Sequence, residues 1–291
     1  MLKKLATMLL MVLWTARIFS YEHELSIAAI FNNEARFLKE WIEFHKLVGV
    51  QHFYLYNNRS DDFYMEILQP YIAKGEVELY EWGQDYTHLG EWNDIQCAAY
   101  QHALVISRGR THWLAIIDLD EFMVPTKDDS LVAILNKYKK YSGVGINWQM
   151  FGTAHVARIP EGQTMVESLR YKQSTNHNNH KVIKSIVQPD KVSCCVNPHW
   201  VYFDKGYTVN TDFKKCNEAL SPTVCIDKIR LNHYWPRDEE YLYTVKYEHI
   251  HKYSPETSID DLKRMTDPYN AEYDYTIGRY VPRLRKNMDL P

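Results

Sequence analysis

The chain has 291 residues, 45% of them hydrophobic and 24% charged, which is enough apolar material for a large core and excludes a disordered linker or tail. Its formal net charge is -3, with basic residues scattered in short groups such as Lys139-Lys140 and Lys214-Lys215, so the basic stripe of a nucleic-acid binder is missing. The 22 Tyr and 8 Trp have an apolar face and a polar tip, which suits sugars and nucleosides and equally suits ordinary packing.

In chain order, Lys3-Lys4 and the apolar run Leu5 to Trp14 come first. Positive charge followed by a short apolar stretch reads as a signal peptide or a marginal membrane anchor over residues 1–20. The run is shorter than the ~20 residues that span a bilayer as a helix. This segment implies membrane association or entry to a secretory or export route, and leaves residues 21–291 as one domain. Leu25 to Phe31 then forms an apolar run long enough for a buried strand. Asn32-Asn33-Glu34 supply cap chemistry for a helix whose apolar positions, Phe37, Leu38, Trp41, Phe44 and Val48, recur at helical spacing up to Gly49. A second strand covers His52 to Tyr56, and a helix containing Pro70 covers Tyr64 to Ala73. Next come a third strand (Val77 to Trp82), a helix from about Trp92 to Ser107, and a continuous apolar strand, Trp113 to Ile117.

A helix capped by Asp129-Ser130 and a strand from Val144 to Trp148 extend this alternation, which predicts an α/β wound, mostly parallel sheet flanked by helices. Beyond Gly152 the periodicity weakens into an irregular α+β part with a helix over 238–252. The tail beyond Asp267 is polar and Tyr-rich and is expected to wrap the surface. Cys97 reads as a buried small hydrophobe. Cys194, Cys195, Cys216 and Cys225 are available for one or two disulfides in an oxidising compartment, and their spacing does not fit zinc.

The strongest chemical signal is Ile116-Ile117-Asp118-Leu119-Asp120-Glu121-Phe122. Ligands of open α/β sheets bind beyond the carboxyl ends of the strands, where this cluster falls. On an extended backbone, Asp118 and Asp120 would point to one side. Two converging carboxylates call for a cation, and Mg²⁺ or Mn²⁺ favours one or two carboxylates together with phosphate oxygens. Such a cation stabilises charge on a departing nucleotide. The bland alternative is a helix cap or surface turn. A dehalogenase-type phosphotransferase also carries DxD after an apolar strand, but usually after its first strand, whereas here three or four precede it. His177 and His180 form an isolated His-x-x-His in a polar stretch, which reads as a solvated loop.

Several segments together resemble glycosyltransferase family 92: Asn33-Glu34, Phe37 to His45, Gly49 to Tyr54, Trp113 to Phe122, Trp148 to Gly152, Lys184 to Val187 and Asn232-His233-Tyr234. The resemblance runs from about residue 26 to about 250. It implies a GT-A fold, an inverting reaction, a nucleotide-sugar donor, often UDP-galactose, and a glycan or glycoconjugate acceptor. It also implies that Asp118 and Asp120 contact ribose, diphosphate and a Mn²⁺ or Mg²⁺ ion, with His233 completing the metal shell. Asn33, Glu34, Asn57 and Asn58 then fall where such folds hold the nucleoside. Two departures stand out: the Asp that members often carry near Asn57-Asn58 is missing, and Arg237 stands near the place of a Lys-Ser pair that follows His-Tyr. Arg237 is therefore a candidate for the diphosphate. Inversion needs a general base, for which Asp190, Glu167 and Asp204 are equal candidates, and His199 beside Trp200 reads as a satisfied structural histidine or, alternatively, as part of the acceptor site. The alternatives are a metal-dependent phosphotransferase or hydrolase, and a non-catalytic glycan-binding protein on the same scaffold.

Overall fold

A computed structural model of the chain describes residues 20–175 and 177–291; residues 1–19, which carry nearly all of the signal or anchor reading, lie outside the described residues. Strands β1 (His23–Phe31), β2 (His52–Asn57), β3 (Val77–Glu81) and β4 (Thr111–Ile116) pair in parallel, with β1 between β2 and β4. Helices α1 (Ala35–Leu47), α2 (Tyr64–Ala73) and α3 (Leu89–Ser107) make the crossovers. Alternation along the strands explains the layering. Leu25, Ile27, Ala29 and Phe31 of β1 join Phe53, Leu55, Trp113 and Ala115 in a core packed with Trp41 and Phe44 of α1. Ala28, Ile30, Tyr54, Tyr56, Leu114 and Ile116 face the other way, onto Tyr100 and Leu104 of α3. Both faces are covered, which is why these strands read as unbroken apolar runs.

The second half departs from simple winding. After β4 comes a short strand absent from the sequence-based reading, β5 (Glu121–Pro125), then α4 (Leu131–Leu135) and β6 (Gly143–Met150). The later chain contributes α5 (Met165–Ser168), β7 (Tyr171–Lys172), β8 (Ile183–Val187), β9 (Val192–Asn197), β10 (Trp200–Phe203), β11 (Thr208–Asn210) and β12 (Ile229–His233). The main sheet runs β3-β2-β1-β4-β8-β6-β12-β5, with β11 beside the first half of β6. Strand β8 lies antiparallel between β4 and β6, while β12 runs parallel to β6 and antiparallel to β5. The start of β8, the start of β5 and the ends of β4, β6 and β12 therefore meet at one edge. The expected wound, mostly parallel sheet with an irregular second half is what the structure contains.

Beyond β12, α6 (Glu239–Tyr241) passes through a π turn (Leu242–Lys246) into α7 (Tyr247–His251), and α8 (Ile259–Thr266) packs beside it. The polar tail does more than wrap the surface. Its strand β13 (Glu272–Tyr273) pairs with β7, and Ile277, Tyr280 and Leu284, the last from α9 (Val281–Asn287), are fully buried in the main core. All five cysteines are free thiols, with Cys97 only half-buried. Among the described residues no helix is long and apolar enough to cross a membrane.

Helix α1 also ties the irregular half to the sheet. The Trp41 indole donates to the Glu121 carbonyl at 2.8 Å, and the Met123 amide donates to His45 Nε2 at 3.2 Å, so α1 fixes the first residues of β5. Glu40 accepts from the amides of Met165 and Val166 at 2.7 and 2.9 Å, which satisfies the first turn of α5. Burial outweighs those two hydrogen bonds and raises the Glu40 carboxyl from 4.5 to about 7. The folded state therefore holds this proton more tightly than the unfolded chain. Its contribution to stability is complete below pH 4.5 and is lost as pH rises through about 7. We expect Glu40→Gln to flatten the fall in unfolding free energy between pH 5 and pH 7.5 by up to about 3 kcal/mol. Urea denaturation at the two pH values measures this, and an unchanged slope counts against it.

Candidate active site

A cleft of about 430 Å³ opens at the edge where the strand ends converge. Its floor contains Asp118, Leu119 and Asp120 from the turn between β4 and β5. One wall is the N-terminal part of α3 with Tyr86 before it, and the opposite wall is the end of β12 and the π turn with α7. A second groove of similar volume, about 440 Å³, lies on the outer flank of α1, where Arg36 and Arg158 are already paired with Asp238 and Glu240. It receives none of the strand-end carboxylates.

The two aspartates converge for a reason different from the expected one. Strand β4 ends at Ile116, and the Glu121 amide donates to the Asp118 carbonyl at 3.1 Å, closing a turn over Asp118-Leu119-Asp120. The turn, rather than extended two-residue alternation, brings both carboxylates into the cleft. Extension is lost because β5 reverses direction at once, with Glu121 paired to His233 on β12.

Each carboxylate of the cleft has its own cation. Asp118 Oδ2 accepts from Lys184 Nζ at 2.8 Å, and its Oδ1 accepts from Tyr100 at 3.0 Å and Gln96 at 3.5 Å. Asp120 Oδ2 accepts from Lys246 Nζ at 3.1 Å, and Asp120 Oδ1 faces His233 Nε2 at 3.4 Å with no hydrogen bond. Glu34 pairs with Arg237, and its Oε1 accepts from the Tyr241 hydroxyl at 3.3 Å. Beneath them Glu121, fully buried, accepts from Trp148 Nε1 at 2.7 Å and from the Asp118 amide at 2.8 Å, with Lys184 Nζ at 3.6 Å.

The electrostatics follow from burial set against these partners. Burial works to raise Asp118 and Asp120, but Lys184 on the first, and Lys246 with His233 on the second, hold both below the usual carboxylate range. Glu121 is pushed up to about 7 by burial and by the neighbouring aspartates, despite Lys184. Burial, and next the Lys184 charge, lower His199 to about 4, so its ring is neutral at pH 7. His199 Nδ1 bonds the Ile183 carbonyl at 3.0 Å, its ring lies 5.1 Å from Trp148, and it lines the cleft.

Of the other expected residues, Glu34, Asp118, Asp120 and His233 line the cleft. Asn33, Asn57 and Asn58 brace the loops behind it instead. Asn33 Oδ1 accepts from the Asp61 amide, Asn57 bonds Glu81 and the Ser60 amide, and Asn58 Oδ1 accepts from the Gln84 amide. The cleft-lining member of that group is Asn32. Arg237 is buried under Glu34, its guanidinium 4.0 Å from the centre of the Phe37 ring, rather than facing the cleft. None of the three base candidates lines the cleft. Asp190 accepts from Tyr21 and the Gly109 amide at the opposite end of the sheet, Glu167 is paired with Arg285 at 2.6 Å, and Asp204 is an exposed loop residue. His180 is buried between the Thr175 carbonyl and the Met150 amide, while His177 is exposed. The sequence-based site set omits Lys184, Lys246 and Glu121. A lysine inside the apolar strand Ile183–Val187 was the available signal, since lysine is rarely buried without a partner.

The family model of glycosyltransferase family 92 matches residues 21–267, and the chain belongs to that family. A family 92 protein of Ricinus communis is 29% identical over 199 residues, covering 65% of this chain and 34% of that protein. The beta-1,4-galactosyltransferase galt-1 of Caenorhabditis elegans is 27% identical over 111 residues, covering 37% of this chain and 26% of that protein. The chain thus matches about a third or less of the length of these relatives. Among solved structures, S. aureus TarS residues 1-349 superposes with a TM-score of 0.41 at 12% identity, covering 91% of this chain and 73% of that one.

Lys184 is 1% exposed and answers two carboxylates. We expect Lys184→Met to cost about 3–5 kcal/mol of stability, because it strands buried negative charge. Adding Asp118→Asn should recover part of that loss. Denaturant unfolding of both variants measures it, and a loss below 1 kcal/mol for the single variant would contradict the buried pairing.

Proposed function

We propose that this chain is a metal-dependent inverting glycosyltransferase that moves a hexose, galactose in the first instance, from a UDP-sugar to a glycan acceptor. The observation carrying this reading is the unsatisfied Asp120 Oδ1 facing His233 Nε2 at 3.4 Å in a cleft at the strand ends. A carboxylate oxygen and an imidazole nitrogen at that separation are donors that one Mn²⁺ or Mg²⁺ ion accepts together, its remaining positions going to phosphate oxygens and water. Among the described residues no three His, Cys, Asp or Glu side chains converge as a complete cage, and Mg²⁺ in nucleotide sites is bound through one or two carboxylates with phosphate oxygens and water. Once bound, the ion would supply positive charge to the diphosphate as the glycosidic bond breaks. Family membership and the galt-1 similarity support sugar transfer and the choice of galactose.

In this reading each side chain has a defined task. Asp118 has used three lone-pair positions on Lys184, Tyr100 and Gln96, and offers the fourth to a ribose hydroxyl. Glu121 aims Asp118 through its amide and holds the Trp148 indole. The rings of Tyr86, Trp92, Trp148, Trp235 and Tyr253 line the cleft and offer faces for base and sugar.

Calorimetry with UDP and UDP-galactose, with and without Mn²⁺, tests the reading, followed by transfer assays with product masses. Donor binding should require Mn²⁺, and Asp120→Asn should weaken it at least about tenfold and lower the transfer rate by about 100-fold or more. Proton NMR should find the product anomer inverted. Metal-indifferent sugar binding without turnover would instead indicate a glycan-binding protein, and phosphate release without acceptor would indicate a hydrolase.

A further inference from the structure

Three carboxylates line the cleft, and three cations answer them: Lys184 for Asp118, Arg237 for Glu34 and Lys246 for Asp120. The first two are locked in place. Lys184 is 1% exposed and shared with Glu121, and Arg237 is fully buried between Phe37 and Tyr241. Lys246 differs in exposure and in its place on the cleft wall. Its side chain is 18% exposed and lines the cleft, it contacts one carboxylate oxygen, and its Nζ stands 5.2 Å from the centre of the Trp235 ring, a second place for a cation.

The backbone that carries Lys246 is also set apart. Lys246 ends the π turn Leu242–Lys246, and single π turns inside helices are frequent at functional sites. Leu242, Ile250 and Leu262 form a small core of their own, separate from the two cores that pack the sheet. The unit is tied across the cleft by His249, whose Nδ1 lies 3.1 Å from the Tyr86 hydroxyl.

From this placement we infer that Lys246 is a diphosphate-binding residue that serves as the counter-ion of Asp120 only while the donor is absent. The inference rests on the metal and nucleotide reading of the same site. An ammonium and a divalent ion repel each other when both lie against one carboxylate, so Lys246 must withdraw from Asp120 Oδ2 when the neighbouring Oδ1 takes a metal. The anion that arrives at the same place is the diphosphate, and the Lys246 stem needs only to turn its amino group toward it. Lys246 thus opposes metal binding to the free protein and favours nucleotide binding to the metal-loaded one. A residue with a merely structural role would not produce effects of opposite sign.

Titration calorimetry with Mn²⁺ alone, and then with UDP at saturating Mn²⁺, tests this on the full chain and on Lys246→Met and Lys246→Arg. For Lys246→Met we expect Mn²⁺ binding tightened by about 3- to 10-fold, from removal of one nearby positive charge. UDP binding should weaken by about 10- to 100-fold, from loss of a charge-assisted contact. Lys246→Arg, which retains the charge, should bind UDP within a few-fold of the unaltered chain. The inference is overturned if Lys246→Met leaves UDP affinity unchanged, or weakens Mn²⁺ and UDP together with a lowered unfolding midpoint. If the unaltered chain binds neither Mn²⁺ nor UDP, the glycosyltransferase reading fails and this inference fails with it. If it binds both and Lys246→Met matches it, only the role of Lys246 is lost.

Discussion

The buried contact of Lys184 with Asp118 and Glu121 is the constraint around which the cleft is arranged. Removing three ionisable groups from water is costly, and their mutual attraction offsets it only when the geometry is close and the remaining lone pairs are satisfied. Satisfying them takes many elements at once. Tyr100 and Gln96 come from α3, Trp148 from β6, and the Asp118 amide from the turn itself. The antiparallel insertion of β8 matters for the same reason. It brings the start of that strand, and so Lys184, to the edge where the parallel strands end.

The other side of the cleft is built differently. Asp120 has one unsatisfied oxygen, and its cation comes from a π turn with a small separate core. The cleft therefore sets a carboxylate with three partners at Asp118 beside one with an open oxygen at Asp120. Such a division suits a site that must orient one group and yet admit a charged one. A preformed hydrogen-bond network fixes position, and an exchangeable ion pair allows entry without leaving a buried charge bare.

Most of the sheet was legible in the sequence because β1, β2 and β4 are covered on both faces and read as unbroken apolar runs. Helix α1 was legible from Phe37, Leu38, Trp41 and Phe44, and the Asp118-Leu119-Asp120 cluster from its place after an apolar strand. Strand β5 was not, since Glu121-Phe122 look like the end of an acidic motif until His233 is known to pair beside them. Lys184 lies 66 residues from Asp118 and Lys246 lies 126 from Asp120, separations set by strand order, which local periodicity does not carry. Asn33, Asn57 and Asn58 occupy loops near the cleft, but their amides are spent on backbone groups and Glu81, as short polar side chains in turns often are. Asp190, Glu167 and Asp204 offer carboxylates, but no local pattern ties any of them to the strand ends. Two of them, Asp190 and Asp204, flank β8–β10 far from the cleft because β8 runs against its neighbours.

The proposed transfer reaction requires Asp120 and His233 to share a cation with a nucleoside diphosphate. Crystals grown with Mn²⁺ and UDP, measured at the manganese edge, examine that directly. An anomalous peak within bonding distance of an Asp120 carboxylate oxygen, His233 Nε2 and the diphosphate is the result expected. UDP bound in the cleft with no such peak, or a peak bonded to neither residue, would contradict it.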